Sequence, residues 1–150
     1  MHLAIFILAL LNRPFDFRTA DPALIGILRT LANRGAFLRN DMEVAAFIVR
    51  DGNGELACQM WPHTASIRAA HYQGAVPAGT VAVAHTHPIY AEQPSRGDIE
   101  QAKRIGLPIY VITRWSLYVV DPSSGASVAV ISQKNWTRSP QPAEVQAMRN

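Results

Sequence analysis

Asp51-Gly52-Asn53-Gly54 separates two apolar stretches, residues 43–50 (EVAAFIVR) and 55–61 (ELACQMW), and this feature does most to limit the folds open to the chain. Asp-Gly and Asn-Gly pairs tolerate the positive φ that tight hairpin turns demand. The two stretches are therefore read as antiparallel neighbours, and a purely parallel sheet is ruled out. Further extended segments follow at residues 80–87 (TVAVAHTH), 108–113 (PIYVIT), 117–120 and 127–131. Residues 15–18 (FDFR) alternate apolar and polar, which predicts another short strand.

Two helices interrupt these strands. Asp21-Pro22 reads as an N-cap followed by the first helical residue, after which Leu24, Ile27, Leu28 and Leu31 form one apolar stripe and Gly35 supplies the stop. Ser95-Arg96-Gly97-Asp98 opens a second helix over residues 95–105 in capping-box fashion, with Ile99, Ala102 and Ile105 on one face. Helices mixed with hairpins imply an α/β domain built on a mixed β-sheet flanked by helices. The domain is expected over residues 13–133, between an apolar segment at 1–12 and a C-terminal tail or short terminal helix at 134–150. Residues 62–79 read as irregular and 88–94 as a loop bounded by Pro88 and Pro94.

Composition excludes several function classes. A chain of 150 residues with 49% hydrophobic side chains buries a full core without staples. Cys58 is the sole cysteine, so neither an internal disulfide nor a cysteine-rich zinc ribbon can form. The net charge of +3 comes without a basic stripe, which argues against nucleic acid as a partner. Leu3 begins an apolar run (LAIFILALL) too short to span a bilayer as a helix. It lacks the cationic start and cleavage site of an ordinary secretory signal, and two readings remain: a core element, or a degenerate signal or anchor. A cytoplasmic protein is expected, with export or membrane association through residues 1–12 as the alternative.

The chemistry concentrates in His85-Thr86-His87-Pro88 and, after the loop, Ser95-Arg96-Gly97-Asp98. Side chains at i and i+2 of a strand share a face, so His85 and His87 project together. The loop of seven residues brings the start of the next helix, with Asp98, back over the strand end. Two imidazoles and a carboxylate make a three-ligand set with a fourth position for water, the arrangement of catalytic rather than structural zinc sites. Ser95, at the N-cap, is placed to face that water or a developing oxyanion, and Glu43, at the start of a neighbouring strand, is the candidate general base. Each part alone has an ordinary explanation: a stray His-x-His, a capping box, a solvated strand-end charge. Together the two His, Ser and Asp at fixed offsets arise by chance on the order of once in thousands of such chains.

Rival metal sites fail on the residues present. A nucleobase deaminase needs P-C-x-x-C, and a metallo-β-lactamase run needs Asp and His where Ile89 and Tyr90 stand. A cupin comes nearer, since Gly79 and Glu92 suit its first motif, but its second needs a His after His87 and there is none. His63 and His71 are read as surface or hydrogen-bonded, Cys58 as a buried small hydrophobe and Trp115 as packing between strands. Tyr90 and Glu92 stand beside the motif, where a substrate could touch them.

The pattern Glu43…His85-Thr86-His87, seven residues, Ser95-Arg96-Gly97-Asp98 resembles the signature of the JAMM (MPN-type) metalloproteases. The likeness extends over roughly residues 15–131 in the order of strands and helices, though the motif carries nearly all its specificity. It implies a cytidine-deaminase-like architecture in minimal prokaryotic form and one Zn2+ per chain, held by His85, His87 and Asp98. Glu43 would be the acid/base and Ser95 the hydrogen-bond partner at the water and oxyanion. Members cleave peptide or isopeptide bonds, often releasing ubiquitin-like proteins, so a peptide or ubiquitin-like substrate is expected. Some relatives have lost the metal set and serve as interaction modules. A non-catalytic module of that kind, or an exported effector with the same chemistry, is the alternative function.

Overall fold

In the computed structural model, which describes residues 15–34, 43–62, 72, 74–88, 91–132 and 136–138, the first helix starts where its cap predicts. Asp21 Oδ1 accepts from the backbone N–H of Ala23 at 2.8 Å and of Leu24 at 3.2 Å, satisfying two donors that a helix start leaves orphaned. Helix α1 runs Pro22–Arg34 and buries Leu24, Ile25, Leu28, Leu31 and Ala32. Six strands follow: β1 (Ala45–Arg50), β2 (Leu56–Met60), β3 (Thr80–Thr86), β4 (Ile109–Ile112), β5 (Ser116–Val120) and β6 (Ser127–Ser132). Helix α2 (Arg96–Ile105) lies between β3 and β4 in the chain.

The strands form one sheet in the order β2-β1-β3-β4-β5-β6. All neighbours are antiparallel except β3 and β4, which are parallel. That exception follows from connectivity, because the β3–α2–β4 link is long enough to return a strand in the same direction, whereas β1–β2, β4–β5 and β5–β6 are joined by short turns. The fold is thus α/β with a mixed sheet, as the hairpin and the two helices imply.

Strand alternation divides the core into two layers. Ala46, Ile48, Ala82, Ala84, Tyr110, Ile112, Leu117 and Val119 pack with the leucines of α1 on one face. Phe47, Val83, Ile109, Val111 and Val120 pack with Ala102 of α2 on the other. Alanines at the centre of β1 and β3 leave room for the larger side chains of α1, and the second face carries the candidate site.

The hairpin turn between β1 and β2 is held by Asp51, whose Oδ1 accepts from the N–H of Asn53 at 2.8 Å and of Glu55 at 2.9 Å. Gly79 sits at φ +80° just before β3, and a Cβ there would lie 2.6 Å from the carbonyl oxygen of Arg50. Only glycine allows that approach, in which Gly79 accepts from the Arg50 N–H at 2.9 Å beside the irregularity in the β1–β3 register.

Two expectations are corrected. Residues 15–18 form a turn rather than a strand, because the Asp16 carboxylate captures the N–H of Arg18 at 3.1 Å and the Thr19 hydroxyl. Phe15 and Phe17 pack on the α1 side of the core all the same. Cys58 is exposed rather than buried, because β2 is an edge strand that α1 covers only in part. The domain limits at 12/13 and 133/134 lie outside the described residues, as do the apolar run, His63, His71 and Tyr90. Trp136, in the polar C-terminal stretch, is buried, and its indole N–H donates to the Thr113 carbonyl at 3.1 Å. Trp115 is half-buried between β4 and β5, with the Arg114 guanidinium 4.7 Å from its ring centroid. No helix among the described residues is long and apolar enough to cross a membrane.

Candidate metal centre and cleft

Strand β3 ends by presenting His85 and, one residue beyond it, His87 on the face that carries Val83, with ring centroids 5.0 Å apart. Thr86 points the other way and is buried. It pins the neighbouring chain: the Val44 N–H donates to Thr86 Oγ1 at 3.0 Å, and the Thr86 N–H donates to the Val44 carbonyl at 2.9 Å. Ala45 pairs with His85, so the same antiparallel register carries Glu43 towards His87. Glu43, Ala45, His85, His87, Ser95 and Asp98 line one cleft of about 780 Å³.

Asp98 arrives from α2. Ser95 is the N-cap, in extended backbone, and the reciprocal capping box is complete. The Asp98 N–H donates to Ser95 Oγ at 3.2 Å, while Asp98 Oδ2 accepts from the Ser95 N–H at 2.6 Å and from its hydroxyl at 2.8 Å. The carboxylate then reaches both imidazoles, Oδ1 lying 3.0 Å from His85 Nε2 and Oδ2 3.2 Å from His87 Nε2. The His87 and Asp98 side chains are only 5% and 12% exposed, so water contributes little to these contacts. Burial opposes ionisation of Asp98, but the hydrogen bonds from His85 and His87 outweigh it and hold its carboxyl well below the usual carboxylate range. The positive end of α2 acts in the same direction.

These residues fit a metal ion. Each of His85, His87 and Asp98 offers one donor atom, and the three atoms lie within 4.8 Å of one another. A tetrahedral zinc with bonds of about 2.0–2.1 Å holds its ligand atoms roughly 3.3 Å apart. Each imidazole Nε2 lies 3.0 or 3.2 Å from a different oxygen of the carboxylate, so both nitrogens already stand within ligand spacing of Asp98. His87 Nδ1, the ring nitrogen turned away from Asp98, is buried with no hydrogen-bond partner among the described residues, and it leaves Nε2 as the nitrogen available to an ion. Two imidazole nitrogens and one carboxylate oxygen suit a divalent transition ion, zinc and iron(II) among them.

The structure gathers all five residues singled out in the sequence, although it engages the Ser95 hydroxyl with Asp98 itself. Ser95→Ala removes that bond and the helix cap, and is expected to cost about 1 kcal/mol in urea denaturation, with Ser95→Thr retaining most of it. An unchanged midpoint in the alanine variant would show that the capping box adds nothing to stability. Glu92 is exposed in the loop before α2. Sequence reasoning missed Phe47, Trp61, Tyr72 and Val76, which line the same cleft. For Phe47 a signal existed, because it stands two residues after Ala45 and so shares the histidine-bearing face.

The chain is similar in structure to a JAB1/MPN domain protein from Archaeoglobus fulgidus, at 18% sequence identity and a TM-score of 0.48, over 69% of this chain and 91% of that one. It is also similar to a protein from Salinibacter ruber known from a solution structure, at 14% identity and a TM-score of 0.42, over 77% of this chain and 92% of that one. No family model matches the sequence. No curated protein matches it either.

Proposed function

We propose that this protein is a zinc-dependent hydrolase that cleaves a peptide or isopeptide bond. The observation that carries this reading is the convergence of both imidazoles on the Asp98 carboxylate inside an open cleft that Glu43 also lines. A structural zinc site is closed by four protein ligands, whereas three ligands facing a cleft suit catalysis. His85, His87 and Asp98 would hold the ion. Zinc in such a site lowers the pKa of a water to about 7 and polarises a carbonyl oxygen.

The remaining work falls to the chain's own groups. Glu43 takes a proton from the attacking water as the oxygen adds to the carbonyl carbon. It returns that proton to the nitrogen as the C–N bond breaks, releasing an acid and an amine. Ser95 fixes Asp98 through the capping box and thereby sets the position of the carboxylate relative to both histidines. The pairing of Thr86 with Val44 holds the Glu43 strand against the histidine strand.

Elemental analysis of the purified protein is expected to give about one zinc per chain, the stoichiometry of a single three-ligand site. Hydrolysis of peptide or ubiquitin-like isopeptide substrates is expected to stop on chelation and to return when zinc is restored. A protein that takes up no zinc after reloading would end this reading.

A further inference from the structure

The cleft has a second wall that the proposed chemistry does not use. Phe47, Trp61 and Tyr72 meet there as three mutually packed rings, with centroid separations of 5.3 Å for Phe47–Trp61, 4.8 Å for Phe47–Tyr72 and 5.4 Å for Trp61–Tyr72. All three line the cleft with His85, and Val76 borders it as well. Val76 is 47% exposed, one of only two large hydrophobic side chains left so open among the described residues. Apolar surface next to a polar reaction centre is what a ligand pocket uses to hold the non-reacting part of its substrate.

The sheet register explains why the wall faces the metal centre. The Trp61 N–H donates to the Ala45 carbonyl at 2.9 Å, and Ala45 pairs with His85. Trp61, Ala45 and His85 therefore stand in one row across three strands. Ala45 is the small member of that row, and its missing side-chain volume forms the floor between the aromatic wall and the imidazole. Two strand spacings, about 9–10 Å, separate the Trp61 and His85 backbones. The rings line the same cleft as His85, so a side chain flanking the reacting carbonyl reaches them without a long substrate.

We propose that Trp61, Tyr72 and Val76, backed by the buried Phe47, form a side-chain subsite for an aromatic or large aliphatic residue flanking the scissile bond, so that the preferred substrates carry such a residue rather than glycine there. This inference rests on the hydrolase reading, and it names the substrate class of that site. Edge-to-face packing, already present at 89° between Phe47 and Tyr72, is available to an incoming ring.

The test measures binding apart from turnover. Zinc-loaded full-length Glu43→Gln protein is titrated with a labelled, blocked hexaglycine and with its six single-Phe variants, read by fluorescence anisotropy. At least one Phe position is expected to bind roughly ten- to a hundredfold tighter than hexaglycine, the gain that burial of one large apolar side chain provides. Tyr72→Ala should remove most of that gain. Val76→Asp, at an exposed position where folding is not at stake, should reduce it as well. Equal binding of all seven peptides, no binding of any, or a preference that survives both substitutions would overturn the subsite. A preference that depends on Tyr72 and Val76, in a protein whose wild type cleaves none of these peptides, would leave the subsite standing and count against the hydrolase reading alone.

Discussion

Asp98→Ala is expected to leave the purified protein without zinc and without hydrolytic activity, while its fold survives. The carboxylate lies between His85 and His87, and its loss leaves two imidazoles where a catalytic zinc site has three protein ligands. A readout independent of activity is available, because an ion that binds only the folded state stabilises it by about 4 kcal/mol when present at a thousand times its dissociation constant. For a domain of this size that amounts to a rise in melting temperature on the order of 10 °C for wild type. The variant should show no rise. Asp98→Ala also breaks the capping box, at a cost of about 1 kcal/mol, which is small beside the roughly 5–15 kcal/mol that holds such a domain folded. Ser95→Ala suffers the same damage to the helix start but keeps all three ligands, so it should retain the zinc-dependent rise. If Asp98→Ala still binds zinc at the wild-type stoichiometry, Asp98 is a helix cap and the metal lies elsewhere.

The parts of the site legible in the sequence are those governed by local geometry. Strand alternation alone puts His85 and His87 on one face, and a Ser-x-x-Asp at a helix start is a capping box whatever surrounds it. Asp51-Gly52-Asn53-Gly54 likewise needs no tertiary context to be a turn. Where tertiary packing decides, the sequence is mute or misleading. Residues 15–18 alternate like a strand, yet the Asp16 side chain competes for the backbone donors and makes a turn of them. Cys58 stands in a run that reads as buried, but burial depends on what covers β2, and α1 leaves it open. Trp136 sits in a polar stretch that reads as a tail, and only the position of Thr113 and Arg29 shows where it packs: Arg29 Nε donates to the Trp136 carbonyl at 2.7 Å. The aromatic wall is the plainest case. Phe47, Trp61 and Tyr72 come from separate places in the chain, and without the register of Trp61 on Ala45 on His85 nothing relates them to the histidines.

Glu43→Gln is expected to lower kcat by roughly 10²–10⁴-fold while leaving zinc content and the zinc-dependent rise in melting temperature at wild-type levels. Glutamine keeps the size and hydrogen-bonding reach of the side chain but cannot take up the proton of the attacking water, so the variant removes the basicity. Because Glu43 lies outside the ligand set, the three donor atoms keep their places, and KM should change far less than kcat, the signature of an interaction needed in the transition state. Other carboxylates near in sequence supply the control. Glu55 is exposed at the turn between β1 and β2, at the far end of β1 from the histidines, and it does not line the cleft. Glu55→Gln should therefore hydrolyse substrate at the wild-type rate. Activity in Glu43→Gln within tenfold of wild type, with zinc retained, would mean that another group moves the proton. In that event the position of Glu43 opposite His87 would reflect only the register that Thr86 imposes on the strand.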